Sequence, residues 1–491
     1  MKRLLGKYPF FLWLLPLFVV LHIEKENHQL IHYRFIYKEI IFLLAVPFVI
    51  FPLVWLLCRN WRKASLISLV LLAFYYFFGE IKDILKWYMP GTVWQSYTLL
   101  LPVFFVLMTA CFVYIIRSKR QFARTFRFFN IVLLLFIAAD LAAMTFSNNK
   151  KHRSRDTPAL VHNFADSVKP DIYYLVFDSY SSSKVLKERF NFDNRKLDSL
   201  LLSKGFRIIT HSKSNYNLTP FSISSQFRFN YLPDADTVTE YFMRRYLPAI
   251  HKVFYSPLLP MMDTLGYNIY NHSIFNFESY PTTVTTFDLW RTDLLYQQYN
   301  FLKKLDRDIG WQFPNLPHLI SRNTLPRYAA NRDHRDSMAI AHIRRTIEKQ
   351  DAKPKFVYGH VLIPHSPYTF DSAGNKIPVI PLLPPEEDEQ AYVEQIVYVN
   401  TIIAEIIESI FKNQQRPFII ILQGDHGYRF VFDDKNMLEF PNLSAFYFSN
   451  GNYSLLHDSL TNINTFPVIF NTFFGQQFPM QPDYQFFLRY K

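Results

Sequence analysis

Cysteine is nearly missing from this chain: Cys58 and Cys111 are the only two in 491 residues. Both lie inside apolar runs, where cysteine packs as a small hydrophobe. A disulfide framework is therefore excluded, and neither thiol can serve a globular catalytic site. No internal repeat or low-complexity segment interrupts the sequence. Acidic residues are also scarce, but only locally: residues 1–170 hold 21 Lys and Arg against 8 Asp and Glu, which is the whole net charge of +13. The remaining 321 residues carry 32 of each sign. With no basic field over the larger part, nucleic acid is excluded as a partner.

What is abundant is apolar sequence. Half of the residues are hydrophobic, too many to spread over a soluble surface. A helix crossing roughly 30 Å of hydrocarbon needs about 20 apolar residues, and five segments approach this: 8–23, 40–58, 64–78, 97–116 and 128–146. Three connecting segments are basic without an acid among them: Lys2, Arg3 and Lys7; Arg59, Arg62 and Lys63; and Arg117, Lys119, Arg120, Arg124 and Arg127. That bias assigns them to the cytoplasmic side. The alternate loops, 24–39 and 79–96, hold five basic and five acidic residues. Five crossings then deliver everything after residue 146 to the outside. Lys150, Lys151, Arg153 and Arg155 follow the fifth span, but a long domain translocates regardless of such charge. The first apolar run has no small-residue cleavage site after it and reads as a retained helix. Asp140, near the outer end of the fifth span, reads as a solvated interfacial carboxylate with no role.

Residues 147–170, rich in Asn, Lys, Arg and Ser, read as a tether. Beyond it short apolar strands (171–177, 206–210, 355–363, 417–422) alternate with amphipathic helices (194–204, 336–350, 386–412). This pattern predicts an α/β sandwich around a mostly parallel central sheet. The expected organisation is a five-helix transmembrane bundle at 1–146, a linker at 147–170 and an extracytoplasmic catalytic domain at 171–491.

Ligands in such sheets bind beyond the carboxyl ends of strands, and three polar clusters fall there: Asp178, His365, and Asp425-His426-Gly427. Carboxylates with an imidazole suit zinc or manganese, and the glycine beside them lets the backbone turn tightly. Singly each is weak. An Asp at a strand end is ordinarily a turn or cap residue, Asp333-His334 repeats the pair in a helical stretch, and His365 between Pro364 and Pro367 also suits a rigid loop. Together they point to a divalent metal site. In the run NYNLTPFSISS at 215–225, Thr219 before proline reads as a helix N-cap. A helix N-terminus also stabilises an anion, and a threonine hydroxyl becomes an effective nucleophile beside a divalent cation. The site read from the residues is thus Asp178, Thr219, Asp425 and His426. Thr219 attacks phosphorus, and His365 and Arg429 bind phosphate oxygens or protonate a leaving group.

These motifs resemble the sulfatase-like enzymes of the alkaline phosphatase superfamily. DIYYLVFDSYSS resembles their first metal-binding strand, HVLIPHSPY their central histidine region and IIILQGDHGYR their Asp-His-Gly motif. Preceded by five apolar helices, the chain looks like the membrane-anchored lipoteichoic acid synthases and lipid A phosphoethanolamine transferases. The resemblance implies Thr219 as metal-bound nucleophile, Asp178, Asp425 and His426 as ligands, and His365 as a substrate-binding histidine. The Cys/Ser-x-Pro-x-Arg motif of true sulfatases is missing, which speaks against formylglycine-based sulfate hydrolysis. The first ligand is Asp178 where the transferases usually carry Glu, and the disulfides usual in phosphoethanolamine transferases are absent. No donor lipid is therefore implied.

The expected function is phospho-group transfer or phosphodiester cleavage on a membrane lipid or envelope glycan. The expected location is the cytoplasmic (inner) membrane, with the catalytic domain on the periplasmic or extracellular side. An anchored sulfuric-ester or phosphate-ester hydrolase is the alternative from the same chemistry. An inactive envelope scaffold, its ligand-like residues serving only as caps and turns, is the alternative from another class.

Overall fold

The computed structural model describes residues 2–26, 33–89, 91–149, 169–232, 242–284, 300–302, 304–305, 324–379, 385–429 and 438–488. Most of the expected tether, 150–168, lies outside the described residues. The chain divides into two units: Met1–Lys151 with Asp288–Arg322, and His152–Phe287 with Asn323–Lys491.

The first unit is helical: α1 (Lys2–Lys7), α2 (Phe11–Glu26), α3 (Tyr33–Cys58), α4 (Trp61–Tyr88), α5 (Tyr97–Arg117) and α6 (Ala123–Asn149). Among the described residues four of these, α3 to α6, are long and apolar enough to cross a membrane. The five expected spans therefore become four full-length helices and one short one. Pro9 falls in the break between α1 and α2, and α2, with 16 residues ending in Glu24-Lys25-Glu26, covers only about 24 Å. Buried Asn130 of α6 closes that break: its amide donates to the Leu5 and Tyr8 carbonyls (both 2.8 Å), and its oxygen accepts from the Phe11 N–H at 2.6 Å.

A similar repair stands inside α3. Pro47 has no N–H to give the Leu43 carbonyl one turn back, and the buried Tyr76 hydroxyl of α4 donates to that carbonyl instead, at 2.6 Å. Asp140 corrects the sequence reading. It is buried, with its carboxylate 3.0 Å from both His22 Nδ1 and Lys25 Nζ of α2, so it ties α6 to α2. Part of the 288–322 segment also belongs to this unit. The Phe301 ring packs on Phe74 and Phe78 of α4 at 4.8 and 5.0 Å, buried Lys304 pairs with Asp83, and Tyr97 donates to the Lys304 carbonyl at 3.2 Å.

The second unit is built on six strands: β1 (Asp171–Phe177), β2 (Arg207–Ile208), β3 (Asn268–His272), β4 (Lys355–Val361), β5 (Phe418–Gln423) and β6 (Ser444–Phe448). Their order is β2-β6-β5-β1-β4-β3. The β5-β1-β4-β3 neighbours pair in parallel, whereas β6 runs antiparallel to β5 and β2 antiparallel to β6. The sheet is therefore mixed. The described residues between β5 and β6 contain no helix, and a return without a crossover helix pairs antiparallel.

Around it lie α7 (Ser183–Phe190), α8 (Arg195–Ser203), α9 (Thr219–Arg228), α10 (Phe242–Phe254), α11 (Leu258–Thr264), α12 (Thr324–Glu348), α13 (Pro385–Asn413) and α14 (Thr465–Phe473). Side chains alternate across a strand, and β1 is buried on both faces. Tyr173, Leu175 and Phe177 share one core with Ile343 of α12, Ile403 of α13 and Leu201 of α8. Each such buried side chain contributes about 1.5–3 kcal/mol. On the opposite face Tyr174 and Tyr358 meet Phe227 of α9 and Phe466 of α14 at ring separations of 5.0 to 5.9 Å. Helices thus cover both faces, and the carboxyl ends of β1, β4 and β5 lie side by side.

Candidate metal centre

Those three strand ends carry the site. Asp178 follows β1, His360 lies near the end of β4, and Gly424-Asp425-His426 follows β5. All four side chains named here are at most 2% exposed. Three contacts draw them together: His426 Nε2 to Asp178 Oδ1 at 3.4 Å, His426 Nε2 to Asp425 Oδ2 at 3.5 Å, and His360 Nε2 to Asp178 Oδ2 at 3.7 Å. Potential ligand atoms form two overlapping sets, Asp178-His365-His426 and Asp178-His360-Asp425, each within 4.8 Å.

Asp178 Oδ1, Asp425 Oδ2 and His360 Nε2 are buried without a hydrogen-bond partner. Leaving such atoms unmet costs roughly 1–3 kcal/mol each, and two buried carboxylates side by side demand a positive charge. Burial and the neighbouring Asp425 push the Asp178 carboxyl well above its usual range. Burial also lowers all three imidazoles, His360 and His365 to about 4, so at neutral pH the histidines are uncharged and cannot supply that charge. A divalent cation can. Mixed carboxylate and imidazole donors suit zinc or manganese.

The backbone holds this arrangement tightly. Ser179 adopts φ +65°, an uncommon conformation for a residue with a side chain. It is held there because its N–H donates to Asp425 Oδ1 at 3.0 Å and its hydroxyl to the Gly427 carbonyl at 3.0 Å. Gly427 is required for space rather than for a special φ: a Cβ there would sit 2.3 Å from the Leu438 carbonyl oxygen and 2.5 Å from that of Pro441. The His426 Nδ1–H donates to the Gly427 carbonyl at 2.7 Å, which turns Nε2 and its lone pair toward the carboxylates.

Thr219 is the first residue of α9 rather than its cap, which is Leu218. Its hydroxyl is free of capping duty and lies 3.4 Å from Asp178 Oδ2 and 3.5 Å from His426 Nε2. Helix α9 is fixed against the loop after β5 by Ser222, whose hydroxyl donates to the Asp425 carbonyl at 2.6 Å.

His365 approaches from the loop after β4. Its Nδ1–H donates to the Ser366 carbonyl at 2.6 Å, and its Nε2 accepts from the Arg429 guanidinium. Buried residues of α12 brace this loop: Arg332 donates to the His365 carbonyl at 2.7 Å, and Asp336 accepts from the Leu362 and Ile363 N–H groups at 3.0 and 3.2 Å. Asp333, whose motif duplicates the metal pair, instead bonds Arg332 and Thr369.

The geometry thus gathers Asp178, Thr219, His365, Asp425, His426 and Arg429, and it adds His360, which the sequence reading passed over. The available signal was a lone polar residue near the end of an otherwise apolar strand.

A sulfatase family model matches residues 256–468, a span that includes His360, His365, Asp425 and His426 and lies beyond Asp178 and Thr219. No curated protein matches the chain. Among solved structures, the chain is similar to the integral membrane protein lipooligosaccharide phosphoethanolamine transferase A of Neisseria meningitidis. The identity is 12%, the coverage 97% of this chain and 96% of that one, and the TM-score 0.40. It is also similar to the zinc complex of the C-terminal periplasmic domain of EptC from Escherichia coli (13% identity, 60% and 78% coverage, TM-score 0.35). A third is the phosphonate monoester hydrolase of Agrobacterium radiobacter (11% identity, 62% and 74% coverage, TM-score 0.38).

Proposed function

We propose that the chain, in which residues 256–468 match a sulfatase family model, is a sulfatase-like enzyme of the alkaline phosphatase superfamily that transfers or cleaves a phospho-group on a membrane lipid or envelope glycan, with Thr219 as nucleophile. The observation that carries this reading is the Thr219 hydroxyl at the start of α9, within 3.5 Å of both Asp178 and His426. Asp178, Asp425, His426 and His360 are the residues that would hold a divalent cation, zinc or manganese. Such a cation supplies Lewis acidity, making a nearby hydroxyl easier to deprotonate and stabilising charge on phosphoryl oxygens.

The chain's own residues do the rest. Thr219 Oγ1 forms a bond to phosphorus as the bond from phosphorus to the leaving oxygen breaks. The α9 N-terminus and Arg429 face the phosphoryl oxygens. The Thr219 proton passes to solvent and the leaving oxygen takes one up from solvent, while His365, whose Nε2 accepts from the Arg429 guanidinium, holds that group toward the phosphoryl oxygens. An acceptor hydroxyl then attacks the phosphothreonine and restores Thr219. Water in place of that acceptor gives the phosphate-ester hydrolase reading. An inert scaffold does not agree with a catalytic-family domain whose buried ligand atoms are left without partners.

Anchoring supports a lipid-proximal substrate, since tethering raises the effective concentration of an active site toward head groups. In this reading residues 1–146 form the membrane domain, with α1 and α2 together as the first crossing. Residues 147–170 are the tether. Residues 171–491 work on the periplasmic or extracellular side of the cytoplasmic membrane.

The test is intact-protein mass spectrometry after incubation with membrane lipids. The expected result is a phospho-adduct on Thr219 in the wild type that is lost in Thr219→Ala. No adduct, or one that persists in the variant, overturns the assignment. A purified protein without stoichiometric divalent metal overturns the metal centre.

A further inference from the structure

The helical unit contains a groove of about 1130 Å³ bounded by α2, α4, α5, α6 and the α5–α6 connection. Along most of its length the walls are aromatic and aliphatic, with Phe18, Phe74, Phe104 and Phe136 among them. At one end the lining changes to Arg120 and Arg124, and a second hollow of about 590 Å³ opens beside it between Tyr114, Arg117 and Arg120. The Tyr114 hydroxyl accepts from Arg120 at 3.2 Å, which holds that guanidinium at the mouth. Arg120 and Arg124 are exposed, and among the described residues neither pairs with a carboxylate.

We propose that this groove is a specific site for an anionic glycerophospholipid of the leaflet on the basic side, its phosphate held by Arg120 and Arg124 and one acyl chain lying along the apolar walls. Two observations favour this occupant over a neutral lipid or a protein helix. The first is charge. The helix ends and connections on that side carry Lys2, Arg3, Lys7, Arg59, Arg62, Lys63, Arg117, Lys119, Arg120, Arg124 and Arg127 with no acid among them, and basic pockets between helices on that side of a membrane take acidic head groups. The second is depth. On α5 the lining runs from Ile115 near the basic end to Phe104, which is eleven residues or about 16 Å of helix. On α4 it runs from Leu66 to Ile81, about 22 Å, so the apolar walls are at least as deep as the roughly 15 Å of hydrocarbon in one leaflet. An acyl chain entering at the arginines is therefore covered by apolar wall through the whole of its own leaflet.

This site lies wholly within the helical unit. It rests on the membrane reading of α3 to α6 and not on the chemistry at Thr219.

The experiment is native mass spectrometry of the full chain released from detergent micelles, titrated separately with dioleoylphosphatidylglycerol and dioleoylphosphatidylcholine. The expected result is at least tenfold tighter binding of the anionic lipid. At about fivefold for each arginine near the surface, Arg120→Gln with Arg124→Gln should weaken phosphatidylglycerol by about 30-fold and leave phosphatidylcholine unchanged. Ala73→Trp, which fills the apolar wall, should weaken both. Should the arginine pair fail to fold, raising salt from 0.1 to 0.5 M on the wild type gives the same readout: phosphatidylglycerol affinity falls and phosphatidylcholine affinity does not. Thr219→Ala should bind phosphatidylglycerol like the wild type, which separates this proposal from the catalytic one. Equal affinity for the two lipids, or phosphatidylglycerol binding indifferent to both arginines and salt, overturns the site.

Discussion

Replacing His360 with leucine should move stability differently with and without metal. His360 is fully buried near the end of β4, and its Nε2 has no hydrogen-bond partner. In the metal-free protein that orphan costs about 1–3 kcal/mol, which an apolar side chain of similar size relieves, but leucine also gives up the 3.0 Å hydrogen bond between His360 Nδ1 and the Tyr358 hydroxyl, which contributes about 0.5–1.5 kcal/mol. In the metal-loaded protein the same nitrogen would, on the proposed reading, be a ligand. Its loss should weaken binding by at least the 10- to 100-fold measured for outer-shell partners of metal ligands, which is about 1.4–2.7 kcal/mol of stabilisation at saturating metal. For a unit of this size 1 kcal/mol shifts the melting temperature by about 2 °C. Calorimetry of His360→Leu in chelator should therefore show a melting temperature between about 1 °C below and about 5 °C above the wild type. With saturating zinc or manganese, the rise over the chelated protein should be about 3–5 °C smaller than in the wild type. A variant that melts below that range in chelator while keeping the full metal-induced rise would refute the assignment, because His360 would then be only a packing residue.

Four further outcomes follow from the same geometry. Thr219→Ala should lower turnover by ~10³-fold or more, whereas Thr219→Ser, which keeps the hydroxyl, should still form the adduct in mass spectrometry. Gly427→Ala puts a Cβ 2.3 Å from a backbone oxygen and should cost about 1–3 kcal/mol in chemical denaturation, with weakened metal binding because His426 leans on the same peptide. His272, bonded to Thr283 at 2.7 Å and Thr346 at 2.9 Å, is lowered by burial to about 4. The unfolded chain therefore binds the extra proton first, and stability present above pH 6.5 is lost toward pH 4 at up to about 1.4 kcal/mol per pH unit; denaturation of His272→Gln across that window should show a flatter profile. Tyr76→Phe strands the Leu43 carbonyl and should cost about 1–3 kcal/mol, but less when Pro47→Ala restores the helical N–H. Strict additivity in that double-mutant cycle would refute the repair.

Much of the catalytic architecture was legible because parallel strands buried on both faces leave continuous apolar runs. DIYYLVF became β1 with the expected bounds, and the runs before His365 and Asp425 became β4 and β5. The amphipathic stretches at 194–204 and 386–412 became α8 and α13. Strands β3 (NIYNH) and β6 (SAFYF) went unread because each is five residues long, and β3 carries polar side chains that mimic a loop. The antiparallel return of β6 depends on the path of a loop, for which no residue pattern exists.

At the site, side chains adjoining strand ends were readable, whereas His360 lay within a strand already assigned to packing. Thr219 was found by its proline, yet its position one residue inside the helix depends on the backbone turn at Leu218. In the helical unit apolar length was legible. The burial of Asp140 was not, because a carboxylate paired with His22 and Lys25 from another helix has the same local sequence as a solvated one.

The 288–322 excursion changes what can be separated from what. A soluble fragment begun at Asp171 would still carry Phe301 and Lys304, now without Phe74, Phe78 and Asp83. It would bring aromatic surface that Phe74 and Phe78 otherwise cover into water, for reasons unrelated to the catalytic fold. Conversely, a protease that nicks the chain between residues 150 and 168 need not release the downstream fragment, because the piece after the cut keeps its own grip on the helices through that clasp.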